Sequence, residues 1–407
     1  MPGEPGPEPS ASGRRAAHND GLPSSGASAA PEEPPEEPGG AFLSGPDLPG
    51  EEPGGSFLSG PDLPGGRRAD PFGPLAAVEP APPAVERRVS VRGLSIFVRE
   101  RGEGHPLLMI MGLGGNTEMW GPAERHLAGV ARTIVFDAPG MGRSRPSPVP
   151  LPLPVVARVI CGLLDRLGHE RVDVIGYSLG GVMAQQLART APDRVRRLAL
   201  AGTSCGWGSA PPEAGPLALI ASPLRYFSPA FYRHTSHILD GGSRFREAVL
   251  ADDQAAARNS HPPSIVGYAQ QFLQGTTWSS LHWASTLTVP TLVLSGACDR
   301  LVPPANGFLL ARRLPNSRLH VLPGEGHLML FDPGSAALPL LEDFFSSEQH
   351  ERSEAWAGGR DVRDDHEVAA VMRDAPGAQP FKALSETYRA WVDLPAVRAA
   401  SRKLLRG

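Results

Sequence analysis

From Val85 onward, short continuous apolar runs alternate with longer stretches in which apolar residues recur every three or four positions. "RRVSVRGLSIFVRERG" alternates with period two on either side of Arg92 and Gly93, which predicts a β-hairpin. "PLLMIMG", "ARTIVFDAPG", "RVDVIG" and "RVRRLALAG" read as strands, and "NTEMWGPAERHLAG", "PVVARVICGLLDRLG" and "GGVMAQQLARTAP" as the helices between them. Repeated strand-then-helix units whose strands are apolar throughout imply a mostly parallel sheet flanked by helices on both faces, an α/β fold.

The alternation stops near Gly202. Residues 204–286 read as helices and loops rich in aromatic residues, and the strand–helix pattern resumes with "VPTLVLSGACD", "NGFLLARRLP", "SRLHVLPGEGH" and "SAALPLLEDFF". The core therefore divides into residues 85–203 and 287–347, with a helical lid inserted between two late strands, above the strand ends where open α/β sheets bind ligands. Residues 348–407 read as a charged linker and an amphipathic tail. In that tail Phe381, Leu384, Tyr388 and Trp391 share one helix face, ahead of Arg398, Arg402, Lys403 and Arg406.

Composition changes the picture at the other end of the chain. Of 407 residues, 47 are Gly and 45 are Pro, and residues 1–84 are so crowded with Pro, Gly, Glu and Ser that they cannot bury enough apolar surface to order themselves. They are expected to be disordered. A tandem repeat, "GGAFLSGPDLPG" from Gly39 and "GGSFLSGPDLPG" from Gly54, reads as a duplication in this head, with a pair of docking motifs anchored on Phe42-Leu43 and Phe57-Leu58 as the alternative.

The net charge of −4 and scattered arginines give no footprint for nucleic acid, and no arginine cluster marks a polyanionic substrate. Cys161, Cys205 and Cys298 are three and widely spaced, which speaks against a disulfide framework and for a reducing compartment. "MPGEPGPEPS" lacks the features of a signal peptide, and no apolar run reaches transmembrane length. The sequence predicts a cytoplasmic protein with no transmembrane segment.

Two pentapeptides, "GYSLG" at Gly176–Gly180 and "GTSCG" at Gly202–Gly206, fit G-x-S-x-G. A nucleophilic serine on a sharp strand-to-helix turn needs small neighbours, so that strand and helix can approach. Ser178 has them: Gly176 precedes it, Gly180 and Gly181 follow, and a good helix comes next. Ser204 runs into Trp207 and "GSAPPEAGP", which cannot start a helix at once. Ser178 is the expected nucleophile.

A serine hydroxyl is inert without a base, and the base needs an orienting acid. In this architecture both follow the serine in the chain, acid first, on loops after later strands. Asp299 follows "TLVLSGAC" and His327 follows "LHVLPGEG", so these two are the expected acid and base. Backbone N–H groups for the developing oxyanion are expected from Leu179, next to the serine, and from Leu113 in the "GLGG" loop after "PLLMIMG". No HExxH, P-loop or G-x-G-x-x-G spacing appears, so catalysis is expected to need neither cofactor nor metal.

These motifs resemble the α/β-hydrolase superfamily over about Val85 to Phe345, and the "FDAPGMGRS" stretch ending at Ser144 resembles the loop after its fourth strand. One departure is Met111, which stands where that superfamily commonly has a His before the oxyanion loop. Through "MGLGGN", "ASPLRYFSPAFY", "PPSIVGYAQQFLQGTTWSSL", "PTLVLSGACDRLVPPANGFLLARRLPN" and "GHLML", the chain is similar to intracellular depolymerases of medium-chain-length poly(3-hydroxyalkanoates). That resemblance implies an apolar ester or polyester substrate, Ser178, Asp299 and His327 in the triad positions, and association with a storage-granule surface. Leu179 departs from it, since those depolymerases tend to carry Trp after the nucleophile. The alternatives are a general carboxylesterase or lactonase on small substrates, an acyltransferase, and a noncatalytic granule-associated or binding protein.

Overall fold

The computed structural model describes residues 82–242 and 248–375. The tandem repeat and the helix expected from Phe381 lie outside the described residues. The expected hairpin is formed by β1 (Ala84–Val91) and β2 (Leu94–Arg101), paired antiparallel from Ala84 opposite Arg101 to Val91 opposite Leu94. Both turn residues have positive φ, 50° at Arg92 and 80° at Gly93, the geometry of the tight turn whose twist matches its flanking strands.

β2 joins the sheet against β4 (Arg132–Phe136), and from there the strands run parallel. They are β3 (Pro106–Ile110), β5 (Val172–Tyr177), β6 (Val195–Ala201), β7 (Thr291–Gly296) and β8 (Ser317–Leu322), and the full order is β1-β2-β4-β3-β5-β6-β7-β8. β5 and β7 are buried along their whole length, as their unbroken apolar runs predict for strands covered on both faces. Chain order reverses around β3: β4 lies on one side of it and β5 on the other. The loops leaving β3 and β5 flank the crevice where a ligand site is expected in such a sheet.

Alternation along β3 divides the core. Leu108 and Ile110 pack with α2 (Leu153–Leu167), α3 (Leu179–Thr190) and α8 (Ala305–Arg313), while Leu107 and Met109 pack with α1 (Gly121–Leu127) and α9 (Ala337–Ser346). The stretch predicted as one helix from Asn116 is split. Asn116 caps a short 3-10 helix at Thr117–Trp120, and α1 starts afresh at Gly121 with Pro122 in its first turn, where a residue without an N–H costs no hydrogen bond.

Between β6 and β7 stand α4 (Ala214–Ile220), a 3-10 turn at Pro223–Tyr226, α5 (Pro229–Asp240), α6 (Ala248–Ser260) and α7 (Ile265–Thr277). The segment after residue 347 does not behave as a linker over its described part. α10 (Glu354–Ala357) and α11 (Asp365–Asp374) return to the core, Arg360 bridges to Leu319 of β8, and Trp356 stacks on Phe344 at 6.0 Å. The anchors Trp356, Val362 and Val368 are buried but separated by charged, exposed residues, so they leave no periodic signal. No helix among the described residues is long and apolar enough to cross a membrane.

Candidate active site

β5 ends at Tyr177 and α3 begins at Leu179, which leaves Ser178 alone on the turn between them. Its φ of 54° and ψ of −124° lie outside the ordinary regions for an L-residue, a strain of about 1–3 kcal/mol. The surrounding glycines make that turn geometrically feasible. A Cβ on Gly176 would fall 2.6 Å from Gly181 Cα, one on Gly180 would fall 2.0 Å from the Ile110 carbonyl oxygen, and one on Gly181 would fall 2.5 Å from the Thr203 side chain. Strand and helix meet where only hydrogen fits.

Asp299 and His327 leave the C-terminal ends of β7 and β8 and converge on this turn. His327 Nε2 is 3.1 Å from Ser178 Oγ, and His327 Nδ1 is 2.7 Å from Asp299 Oδ2. Asp299 is 3% exposed and His327 4%, so water does not compete for their shared bond. The other Asp299 oxygen accepts the N–H groups of Leu301 and Val302 at 2.9 and 2.7 Å, which fixes the carboxylate plane. With the acid on Nδ1, Nε2 is the nitrogen left to accept a proton from the serine.

Ser204 has different company. Its hydroxyl accepts the Gly206 N–H at 3.1 Å and its carbonyl accepts Gln185 Nε2 at 3.0 Å. Burial pushes the neighbouring Cys205 thiol up to about 12, so it is no thiolate nucleophile at neutral pH. The second pentapeptide still serves the site through Gly202, where a Cβ would come within 3.3 Å of His327 Nδ1. His320, on β8, binds the Ala355 carbonyl at 2.6 Å, and burial lowers its pKa.

The loop after β3 packs directly on Ser178: a Cβ on Gly112 would lie 3.0 Å from Ser178 Cβ. Leu113, the next residue, and Leu179 both line the cavity beside the serine. Leu179 is the first residue of α3, so its N–H has no partner within the helix. The peptide joining Leu113 to Gly114 is gripped at both ends by the helical block. The Tyr226 hydroxyl donates to the Leu113 carbonyl, and the Gly114 N–H donates to Gln271 Oε1 at 2.8 Å. Gly114 has φ of 75°, and a Cβ there would strike the rings of Tyr226 and Tyr268. Met111 packs beneath the loop, where a Cβ on Gly115 would lie 2.4 Å from its Cγ.

Asn116 strengthens the same junction. Its amide donates to the carbonyls of Ala257 and His261 at 2.9 and 3.0 Å, while its oxygen caps the Thr117–Trp120 turn. Tyr226, Gln271 and Asn116 lie within stretches that carry the resemblance, but the sequence assigns none of them a role, because each lies more than a hundred residues from its partner.

The serine opens into a cavity of about 350 Å³ whose wall includes Leu179, Val182, Leu217, Ile220, Phe272 and Leu328. Most of the apolar wall comes from the helices between β6 and β7 and from the loops at the strand ends. A hydroxyl, an imidazole and a carboxylate in a buried chain at the floor of a mostly apolar cavity can perform proton-coupled nucleophilic attack on a carbonyl.

Residues 105–333 match the model of the alpha/beta hydrolase fold family. The chain is 36% identical over 270 residues to a poly(3-hydroxyalkanoate) depolymerase of Ectopseudomonas oleovorans, covering 66% of this chain and 94% of the relative. It is 26% identical over 279 residues to a 2-hydroxy-6-oxononadienedioate/2-hydroxy-6-oxononatrienedioate hydrolase of Comamonas testosteroni, covering 64% and 95%. Among solved structures, a meta-cleavage product hydrolase from Pseudomonas fluorescens IP01 superposes with a TM-score of 0.56 at 23% identity, over 64% of this chain and 97% of that one. Sheet order, the matched family model and the similarity to the depolymerase agree, and this chain belongs to the α/β-hydrolase family.

Proposed function

We propose that this hydrolase cleaves aliphatic carboxylic esters through a Ser178 acyl-enzyme, and that its substrate is a poly(3-hydroxyalkanoate) or an oligomer of one. The observation that carries the reading is the hydrogen-bonded relay Ser178–His327–Asp299, with the serine held in a strained turn at the floor of an apolar cavity. Ser178 Oγ attacks the ester carbonyl while His327 Nε2 takes its proton, and Asp299 holds the imidazole in the tautomer this requires. The N–H groups of Leu113 and Leu179 receive the oxyanion. His327 then protonates the departing alkoxide, and water releases the acid by the same steps in reverse.

The substrate class is supported by the name of the Ectopseudomonas oleovorans relative, of which the match spans 94%, and by the apolar cavity wall. It is supported too by Trp207, Leu224, Phe227, Ile265, Val266 and Leu273, all exposed large apolar side chains on the helical block, which suit contact with a water-insoluble polyester at a storage-granule surface. In this reading the block acts as a lid. The test is clearing of a medium-chain polyhydroxyalkanoate latex by the purified chain, beside hydrolysis of p-nitrophenyl octanoate. Clearing is expected. Hydrolysis of the small ester without clearing would instead favour a carboxylesterase or lactonase on small substrates.

The grip of the helical block on the oxyanion loop yields a separate expectation. Gln271→Leu removes the acceptor for the Gly114 N–H, and a mispositioned oxyanion donor lowers the rate of the chemical step. The expected result is a kcat about tenfold lower with KM little changed. Steady-state kinetics on p-nitrophenyl octanoate measure both, and an unchanged kcat would remove the loop's dependence on Gln271.

A further inference from the structure

Two arginines in the cavity wall carry charge that the described residues do not neutralise. Arg225 and Arg258 are each 5% exposed and line the same cavity as Ser178. They come from different parts of the helical block and share one ring, with guanidinium carbons 4.9 and 5.6 Å from the centre of Tyr226. A guanidinium does not shed its proton in a protein, so both charges persist in the closed, low-dielectric wall.

Buried arginines elsewhere in this fold are handled differently. Arg99 meets Glu124 through two bonds of 3.0 and 2.6 Å, and Arg197 donates to the carbonyls of Phe344 and Glu348 at 2.6 and 2.8 Å. Among the described residues, Arg258 has no carboxylate partner. Its Nη1 is 3.4 Å from the Tyr226 hydroxyl and 3.7 Å from Met119 Sδ, its guanidinium lies 4.6 Å from the centre of the Tyr232 ring, and its Nε is buried without a hydrogen-bond partner. Arg225 reaches the carbonyls of Leu219 and Leu113 only at 3.3 and 3.5 Å. Tyrosine rings accommodate the faces of these cations, but neutral hydroxyls do not balance two charges. A cavity wall that keeps such groups is suited to an anion arriving with the ligand.

We propose that Arg258, with Arg225 beside it, recognises a free carboxylate on the substrate, so that the preferred ester is one with an acid end within reach of Ser178. This rests on the ester-hydrolase reading and narrows it to the carboxyl terminus of an oligo(3-hydroxyalkanoate). In such a head-to-tail chain the free carboxylate sits on the alcohol side of the last ester. Ser178 Oγ bonds to that ester's carbonyl carbon, the bond from this carbon to the terminal unit's oxygen breaks, and the serine proton passes through His327 to the departing alkoxide. The terminal 3-hydroxy acid leaves with its carboxylate intact. Water then cleaves the acyl-enzyme, which restores the serine and creates a new free carboxylate at the shortened end, ready for another round.

Two synthetic dimers of 3-hydroxyoctanoic acid test this, one with a free terminal carboxyl and one with that carboxyl as its methyl ester, with cleavage of the internal ester followed by chromatography. For the full wild-type chain, kcat/KM is expected to favour the free acid by about tenfold or more. Arg258→Met should bring the ratio towards one, and Arg258→Lys should restore part of it. Equal cleavage of both dimers by the wild type would overturn the proposal without any appeal to variants. Calorimetric titration of the catalytically silent Ser178→Ala protein with 3-hydroxyoctanoate supplies a readout independent of turnover. Saturable binding that is lost when Arg258→Met is added supports the site even if neither dimer is cleaved, in which case the ester-hydrolase reading alone has failed. Absence of binding counts against the carboxylate site.

Discussion

Ser178→Ala is expected to lower ester hydrolysis by about 10⁴- to 10⁶-fold while leaving the fold intact. The size of the effect follows from the geometry. Oγ is the only heavy atom that differs between the two side chains, and it is the one 3.1 Å from His327 Nε2. In the proposed mechanism its loss removes the nucleophile but leaves the His327–Asp299 bond and the Leu113 loop in place, so the residual rate reflects those groups acting on water. Alanine bears the same Cβ as serine, so the backbone at φ 54° is neither relieved nor further strained. Thermal unfolding should therefore move little. Ser204→Ala is the matched control: its hydroxyl caps a loop N–H, and activity should stay within about twofold. Activity measured on p-nitrophenyl octanoate, with unfolding followed by circular dichroism, separates the two serines.

The largest stability effect is expected from Gly180→Ala. A Cβ there would sit 2.0 Å from the Ile110 carbonyl oxygen and 2.7 Å from that of Met111, and neither can yield. Ile110 ends β3, which is paired with β4 on one side and β5 on the other, so relief would require moving the middle of the sheet or lifting α3 from it. A forced backbone shift of this kind costs about 3–5 kcal/mol, which for a domain of this size lowers the melting temperature by about 10 °C or abolishes soluble expression. Gly168→Ala makes an informative contrast. Nothing lies within 4 Å of its added Cβ, and only its φ of 82° opposes the change, so the loss should be about 1 kcal/mol. A Gly180→Ala protein as stable as the Gly168→Ala protein would mean that strand and helix are less closely apposed than described.

These two expectations draw on what the sequence displays most openly. The runs that became β3, β5 and β7 are apolar at nearly every position because both faces are covered, and their ends mark where chemistry can be placed. The glycines around Ser178 are visible as letters because the close approach they permit tolerates no other residue. Chain order then selects Asp299 and His327, and the structure brings both to Ser178.

What stayed hidden depends on distance in the chain. Gln271 and Tyr226 hold the Leu113–Gly114 peptide from positions more than a hundred residues away, and a single glutamine or tyrosine carries no local signal. Arg225 and Arg258 look scattered in the sequence, and only the folding of the helical block brings both to the Tyr226 ring. The segment read as a charged linker contains α10 and α11 because three apolar anchors, widely spaced among charges, suffice to dock it.

Activation of Ser178 by His327 is tested most directly by covalent labelling. The full chain is treated with a fluorophosphonate, digested and analysed by mass spectrometry. A single adduct on the peptide carrying Ser178 is expected, absent from Ser178→Ala and formed far more slowly in His327→Ala. No adduct, or an adduct on the peptide carrying Ser204, would contradict the account.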